Sequence, residues 1–124
     1  MRSIFLVVLL LFVAVVASAE SYKVCANLTP INTNLEIVFT PTDVDGSVYS
    51  IVGSIKELGV PMYGSGLIEN DLTIASLYSS VRYNGDLIPI FCDLNITLST
   101  LTGTYMLFGG EDFASGTVVL SECQ

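Results

Sequence analysis

Hydrophobic and polar residues alternate one by one along most of the chain beyond residue 20. In residues 94–99, Leu or Ile at every second position alternates with Asn, Thr or Ser. This period of two is typical of a β-strand that buries one face. Comparable stretches predict further strands at 22–28, 35–39, 48–52, 67–69, 72–78, 81–83, 86–88, 104–108 and 117–120.

Two of these stretches carry irregularities. Between Ile74 and Leu77 the alternation shifts, which predicts either a β-bulge or a strand that is buried on both faces. Residues 111–116 are rich in Asp, Glu and Gly, and we predict that they form a loop before the last strand.

Turn-forming residues separate the predicted strands. Asn84-Gly85 is the clearest turn, because Asn and Gly tolerate the positive φ angles that a type I′ hairpin needs. Pro89 follows shortly afterwards and predicts a sheet edge or a bulge, since proline cannot donate a ladder hydrogen bond. No stretch keeps a 3.6-residue period long enough for a crossover helix, which excludes a parallel α/β sheet.

These elements predict an all-β fold, a single small antiparallel meander barrel of about eight strands. A β-sandwich is the alternative. The barrel is preferred because closure removes the unpaired edges of strands that are rich in Val, Ile, Leu and Tyr. The spacing of Cys25 and Cys92 is similar to that in immunoglobulin domains, but the chain has no Trp and no tyrosine corner before Cys92.

In its general pattern, the predicted barrel resembles calycin barrels such as avidins and lipocalins. The resemblance concerns architecture, and it implies a secreted, meandering, ligand-binding protein. The chain departs from these families in having no Trp and none of their defining motifs. Fold similarity alone does not carry function.

The first 19 residues have the three parts of a secretory signal peptide. Met1-Arg2-Ser3 is a short basic start, residues 4–16 are an apolar run, and Ala17-Ser18-Ala19 supplies the small residues of a cleavage site. The apolar run is shorter than the ~20 residues that a membrane-spanning helix needs. We therefore predict cleavage after Ala19, one β domain over residues 20–124, and secretion without a membrane span.

Two sequons for N-glycosylation follow the signal peptide, Asn27-Leu28-Thr29 and Asn95-Ile96-Thr97. Each Asn lies on the polar side of a predicted strand, where a sugar can stand in water. The sequence therefore predicts a glycoprotein that carries sugars at Asn27 and Asn95.

The chain has 3 cysteines, Cys25, Cys92 and Cys123. In an oxidising compartment we expect one disulfide and one unpaired thiol. Cys25 and Cys123 lie on the polar sides of their strands, whereas Cys92 lies on an apolar side. The preferred disulfide is therefore Cys25–Cys123 with Cys92 free, and Cys92–Cys123 and Cys25–Cys92 remain alternatives.

The chain is strongly acidic, with 12 Asp and Glu against 4 Lys and Arg and a net charge of −8. Nucleic acids and anionic membranes bind clustered Lys and Arg, so neither is an expected partner. Acidity favours solubility and would suit a basic partner. Acidic pairs such as Glu69 with Asp71 and Glu111 with Asp112 are expected to be turn residues.

The absence of His excludes several chemistries. A Ser-His-Asp triad, a Cys-His pair and a His-ligated zinc site cannot form, and the cysteines are too few for a Cys₄ zinc site. Cys92 has no nearby basic residue to lower its pKa. We therefore expect no catalytic residue, no metal and no cofactor. An enzyme would require two carboxylates that face each other across a groove.

Aromatic residues are distributed over many of the predicted strands, and we expect them in the core or, alternatively, around an apolar cavity: Tyr49, Tyr63, Tyr78, Tyr83, Phe91, Tyr105 and Phe108. The first functional hypothesis is a secreted glycoprotein that acts as a non-catalytic recognition module through its surface, as an extracellular signal, a matrix or coat component, or an inhibitor. The alternative is a carrier of a small apolar ligand inside the barrel, which needs a cavity of ~300 Å³ or more. The expected partner is accordingly an extracellular protein or a small apolar ligand.

Overall fold

A computed structural model of the chain describes residues 21–42 and 46–123. Within them, eight strands follow one another: β1 (Tyr22–Thr29), β2 (Thr33–Pro41), β3 (Val48–Ile55), β4 (Val60–Glu69), β5 (Leu72–Tyr83), β6 (Asp86–Thr97), β7 (Thr102–Gly109) and β8 (Asp112–Ser121). The predicted signal peptide lies outside the described residues. Within these ranges, no helix has the length and hydropathy needed to cross a membrane.

The eight strands form one closed barrel in which each strand pairs with its neighbours in sequence. All pairs are antiparallel, and β1 pairs with β8 to close the sheet. The predicted meander barrel is therefore confirmed, and the β-sandwich alternative is wrong. Closure pairs the backbone groups that would otherwise remain open along two sheet edges.

The predicted hairpin between β5 and β6 is also confirmed. Asn84 and Gly85 have φ angles of 52° and 85°, as a type I′ turn requires. Pro89 lies in β6 just before its pairing with β7 begins at Ile90. The carbonyl oxygen of Pro89 accepts a hydrogen bond from the backbone N–H of Gly110 over 3.2 Å. Proline is tolerated there because its missing N–H falls where the ladder between β6 and β7 ends. This position resembles the sheet edge that the sequence predicts for Pro89.

Every second residue of each strand points into the barrel, and together these residues form a packed hydrophobic core. The largest fully buried side chains are Tyr105, Phe39, Leu28, Leu35, Met62, Leu94, Val118 and Cys92. An interior cavity of about 30 Å³ remains, with Tyr49 and Thr73 in its wall. The hydroxyl groups of these two residues are hydrogen-bonded to each other. A cavity of that volume has room for about one water molecule.

Two local predictions are wrong. β5 has no bulge, because its register with β4 and β6 is unbroken and Thr73 and Leu77 both face the core. The hydrophobic pattern suggested an irregular strand because Ile74, although apolar, lies on the outer surface. The predicted loop over residues 111–116 is instead strand from Asp112 onward, where β8 begins and pairs with β7.

Two strand glycines allow neighbouring strands to approach closely. A Cβ atom at Gly64 would overlap the carbonyl oxygen of Ser76 on β5, and one at Gly103 would overlap that of Asn95 on β6. Any other residue at either position would push the strands apart. These glycines thus permit the tight coiling that closes the sheet.

Candidate functional site

The two predicted glycosylation sites both face away from the core. Asn95 is exposed on β6, and Asn27 is half-buried on β1. The Nδ2 atom of Asn27 donates a hydrogen bond to Oδ1 of Asn34 on β2, 2.9 Å away. A sugar attached to Nδ2 leaves one N–H, so this hydrogen bond and a glycan are compatible. The geometry accommodates sugars at both positions, and their presence stays a prediction.

Asn34 also connects β2 to the turn between β3 and β4. Glu57 in that turn accepts hydrogen bonds from the backbone N–H of Asn34 over 2.5 Å and from its side-chain amide over 3.1 Å. The backbone N–H contributes most to holding the pKa of Glu57 below its ordinary value. Asn27, Asn34 and Glu57 are thereby linked across three consecutive segments of the outer surface.

The cysteines are arranged as strand parity favours. Cys25 and Cys123 form a disulfide. Because Cys25 pairs with Ser121 of β8, this bond lies at the seam between the first and last strands. Cys92 is an unpaired thiol that is fully buried in the core. Burial, with a smaller contribution from the charge of Asp93, raises the pKa of Cys92 to about 12, so the thiol is a poor nucleophile at neutral pH.

The acidic residue Asp71 has a structural role, as turn chemistry predicts. It lies in the turn between β4 and β5 and accepts a hydrogen bond from the backbone N–H of Ser99 over 2.8 Å. The hydroxyl group of Ser99 donates to the second carboxylate oxygen. Asp71 therefore holds together two turns at the same end of the barrel.

One group of side chains in the described part of the chain is compact enough to share a metal ion, and it consists of Cys25, Glu36 and Cys123. The disulfide engages both sulfur atoms. The carboxylate of Glu36 lies 3.6 Å from the amine of Lys23. This group therefore offers one carboxylate, already in an ion pair, which is a poor set of metal ligands.

Five aromatic side chains occupy directly paired positions on the outside of the barrel, one on each strand from β4 to β8. The strand registers pair Tyr63 with Tyr78, Tyr78 with Phe91, Phe91 with Phe108, and Phe108 with Phe113. Tyr63, Tyr78, Phe91 and Phe113 are 49, 58, 49 and 56 % exposed. The rings of Phe108 and Phe113 are in contact, with centroids 5.0 Å apart. We call these five residues the aromatic row.

Small polar side chains lie next to the aromatic row on β4, β5 and β6. The registers pair Ser65 with Ser76 and Ser76 with Asp93. The hydroxyl group of Ser76 donates a hydrogen bond to Oδ1 of Asp93 over 2.9 Å. We call Ser65, Ser76 and Asp93 the polar row. Each member lies two residues from the ring on its own strand, which places the two rows about 6.7 Å apart on the same face.

The surface beside the polar row is concave. Ser76 and Ile74 lie in the wall shared by two adjoining depressions. One depression has a volume of about 240 Å³ and reaches Ser65 and Leu67, and the other has about 260 Å³ and reaches Asp93 and Asn95. Ser65 and Ser76 are smaller than the outward-facing residues that precede and follow them on their strands. The surface is therefore lower along the polar row than on either side of it.

The two rows carry little charge. Asp93 is the one charged member of the aromatic row and the polar row. The nearest charged residues along β4 and β5 are close to the strand ends, at Glu69 and Arg82. A face with aromatic rings and hydroxyl groups, and without Lys or Arg, is suited to an uncharged ligand.

The sequence predicts seven aromatic residues in the core or around an interior cavity, and for several of them this is wrong. Tyr49 and Tyr105 are buried, whereas Tyr63, Tyr78 and Phe91 are exposed. The missed signal is parity, because the exposed residues stand at the outward positions of the same strands whose inward positions are apolar. Parity identifies each ring as exposed, but only the strand registers bring the rings together.

Comparison of the chain with protein families, curated proteins and solved structures finds no match. A function must therefore be argued from the residues of the chain itself. On the surface that the structure describes, the aromatic row and the polar row place exposed rings beside hydrogen-bonding side chains.

Proposed function

We propose that the protein is a secreted glycoprotein that acts as a non-catalytic recognition module through the outer surface of its barrel. The observation that supports this proposal is the aromatic row. Four of its five rings remain about half exposed on strands whose inward side chains already fill the core. Single exposed apolar residues are ordinary, but a contiguous set marks a site of interaction.

The sequence and the disulfide support secretion. The first 19 residues have the composition of a signal peptide, and the sequons at Asn27 and Asn95 lie on outward positions. Disulfides form and persist in oxidising compartments, so the bond between Cys25 and Cys123 is consistent with an extracellular protein.

The interior gives no support to the alternative function, a carrier with its ligand inside the barrel. A small-molecule site needs ~300 Å³, whereas the cavity lined by the core residues has about 30 Å³. Rings such as Tyr105 and Phe39 occupy the space that a ligand would need. We therefore assign recognition to the outer surface.

Expression of the full chain in a eukaryotic secretory cell tests the first part of this proposal. We expect protein in the medium with a new N-terminus after Ala19, and a lower apparent mass after enzymatic removal of N-glycans. The variants Asn27→Gln and Asn95→Gln should each lose one glycan. Retention inside the cell, or a mass unchanged by deglycosylation, would overturn secretion as a glycoprotein.

Binding of the labelled secreted protein to the extracellular surface of the cells that express it tests recognition. The triple variant Tyr63→Thr, Tyr78→Thr, Phe91→Thr removes three rings and keeps residues of high β propensity. Tyr83→Thr, at the exposed tip of the β5–β6 hairpin, is the matched control. The triple variant should lose most of the binding and the control should retain it. Equal binding by all three proteins would contradict surface recognition by the aromatic row.

A further inference from the structure

We propose that the outer face of β4, β5 and β6 binds a neutral carbohydrate chain. This proposal rests on the proposed function and specifies its ligand. The rings of Tyr63, Tyr78 and Phe91 stack on the apolar faces of successive sugar units. The polar row exchanges hydrogen bonds with the sugar hydroxyl groups beside those rings. The site is the juxtaposition of these two rows on three adjacent strands.

The chemistry of a sugar ring matches the composition of the face. A pyranose presents carbon-bound hydrogens on its broad sides and hydroxyl groups around its rim. It is therefore recognised by a flat aromatic ring with small hydrogen-bonding groups beside it. Each of the three strands supplies one such ring and one such group, and adjacent strands repeat the pair at a spacing of about 4.8 Å. A repeated pair suits a ligand built from repeated units.

The polar row has the hydrogen-bonding capacity that sugar hydroxyl groups need. Ser65 can donate once and accept twice, Ser76 can accept, and a carboxylate accepts through both of its oxygens. Ser76 donates to Oδ1 of Asp93, which fixes the carboxylate against the sheet. The carboxylate of Asp93 keeps acceptor capacity beyond this one hydrogen bond, and Asp93 lies in the wall of the adjacent depression.

Charge restricts the carbohydrate to a neutral one. The chain carries a net charge of −8, and Asp93 contributes a negative charge at the site itself. An acidic polysaccharide would be repelled, because neither row offers a Lys or Arg to pair with its carboxylates or sulfates. A basic peptide would find a single carboxylate here, which is too few for charge-based recognition.

The curvature and composition of the face argue against a second protein chain as the occupant. Because the sheet closes with eight strands, its surface turns away on both sides of β5. Serine is also depleted in protein interfaces, whereas it makes up most of the polar row.

The barrel supplies internal controls outside the two rows. Tyr83 is exposed at the tip of the β5–β6 hairpin, and Ser115 is exposed on β8, two strands beyond β6. A chain bound across the two rows of β4 to β6 does not reach either residue. Tyr83→Thr and Ser115→Ala are therefore matched controls for substitutions at Tyr78 and Ser76.

Isothermal titration calorimetry with soluble cello-, chito- and manno-oligosaccharides tests the proposal, with galacturonic-acid oligosaccharides as the acidic comparison. At least one neutral series should bind the secreted protein. Tyr78→Thr should weaken that binding by about tenfold, through loss of stacking. The double variant Ser76→Ala, Asp93→Ala should weaken it by about fivefold, through loss of hydrogen bonds. Tyr83→Thr and Ser115→Ala should leave the affinity within about twofold, because neither residue contacts the bound chain.

Each measurement either supports the carbohydrate proposal or contradicts it. Enzymatically deglycosylated protein should bind at least as well, since the site is for an external chain and not for the sugar on Asn95. Absence of binding to every neutral series, preference for the acidic one, or binding that Tyr78→Thr does not weaken would each overturn the proposal. So would a dimer, seen by sedimentation, that Tyr78→Thr dissociates. Circular dichroism confirms that each variant is folded before it is titrated.

The titration also separates this proposal from the broader one. If no carbohydrate binds but the triple variant still loses cell-surface binding, only the carbohydrate assignment fails. If the triple variant binds cells as well as the unmodified protein does, recognition through the aromatic row fails as well.

Discussion

Two buried tyrosines form a matched pair for a test of the core. The side chain of Tyr105 is 1 % exposed, and its hydroxyl group has no hydrogen-bond partner in the part of the chain that the structure describes. The hydroxyl group of Tyr49 is also buried but bonds to Thr73. Thr73 in turn donates to the carbonyl oxygen of Leu67 over 3.0 Å. Replacing either tyrosine with phenylalanine keeps the ring and removes one hydroxyl group.

We expect the two substitutions to change the free energy of unfolding in opposite directions. An unsatisfied buried hydroxyl group destabilises by about 1–3 kcal/mol. Tyr105→Phe should therefore stabilise by about 1 kcal/mol, less than the full penalty because the removed oxygen leaves a small void. Tyr49→Phe loses a satisfied hydrogen bond and should destabilise by about 1 kcal/mol. Thr73 keeps its bond to Leu67, which limits that loss.

Urea denaturation followed by far-ultraviolet circular dichroism measures both effects. The two variants should differ by about 2 kcal/mol, as a shift in midpoint at constant slope. A Tyr105→Phe variant that is destabilised as much as Tyr49→Phe would refute the reasoning, because it would mean that the hydroxyl group of Tyr105 is satisfied.

Three further predictions concern the cysteines and a strand glycine. Replacing Cys25 and Cys123 with Ser releases a cross-link between residues 98 positions apart. It should lower the free energy of unfolding in urea by about 4–5 kcal/mol in the chain-entropy model, and a loss of less than about 1 kcal/mol would contradict that account. The folded-state pKa of Cys92 is raised from 9.0 to about 12, so the unfolded state loses this proton first. Its contribution to stability is therefore complete below pH 9 and should fall by about 1.4 kcal/mol per pH unit above it. Cys92→Ala should remove that part of the slope, and an unchanged slope would contradict the assignment. Gly103→Ala should abolish soluble folded protein, because the new Cβ overlaps the backbone of β6. Gly109→Ala on the same strand meets nothing closer than 3.9 Å and should fold, and similar circular dichroism spectra for both would argue against the close approach at Gly103.

Local signals in the sequence were sufficient for the architecture. The positive φ angles of Asn84 and Gly85 follow from the two residue types alone, and they determine how β5 returns as β6. Strand parity likewise separated Cys92 from Cys25 and Cys123 before any contact was known. These inferences succeeded because each depends on the conformation of a few consecutive residues.

Inferences that treat an apolar residue as a buried one failed. Ile74 suggested an irregular strand, yet it lies on a regular one and faces outward beside Leu67 of β4. Tyr63, Tyr78 and Phe91 are expected inside the barrel, in the core or around a cavity, for the same reason, yet they are exposed. The outer surface of a small protein is largely apolar in any case, so the chemical type of a residue does not by itself determine its side of the sheet.

The aromatic row depends on the register between strands, which the inward and outward alternation of side chains does not determine. The Asn84-Gly85 turn sets the register that pairs Tyr78 with Phe91. Shifting that register by two residues would leave every side chain on its present face, inward or outward, but would place Tyr78 opposite Asp93. The rings would then be separated, although the alternation that defines the core would be intact. The alignment of rings across β4, β5 and β6 is therefore a feature additional to barrel formation, and this is the physical reason for proposing recognition at that face.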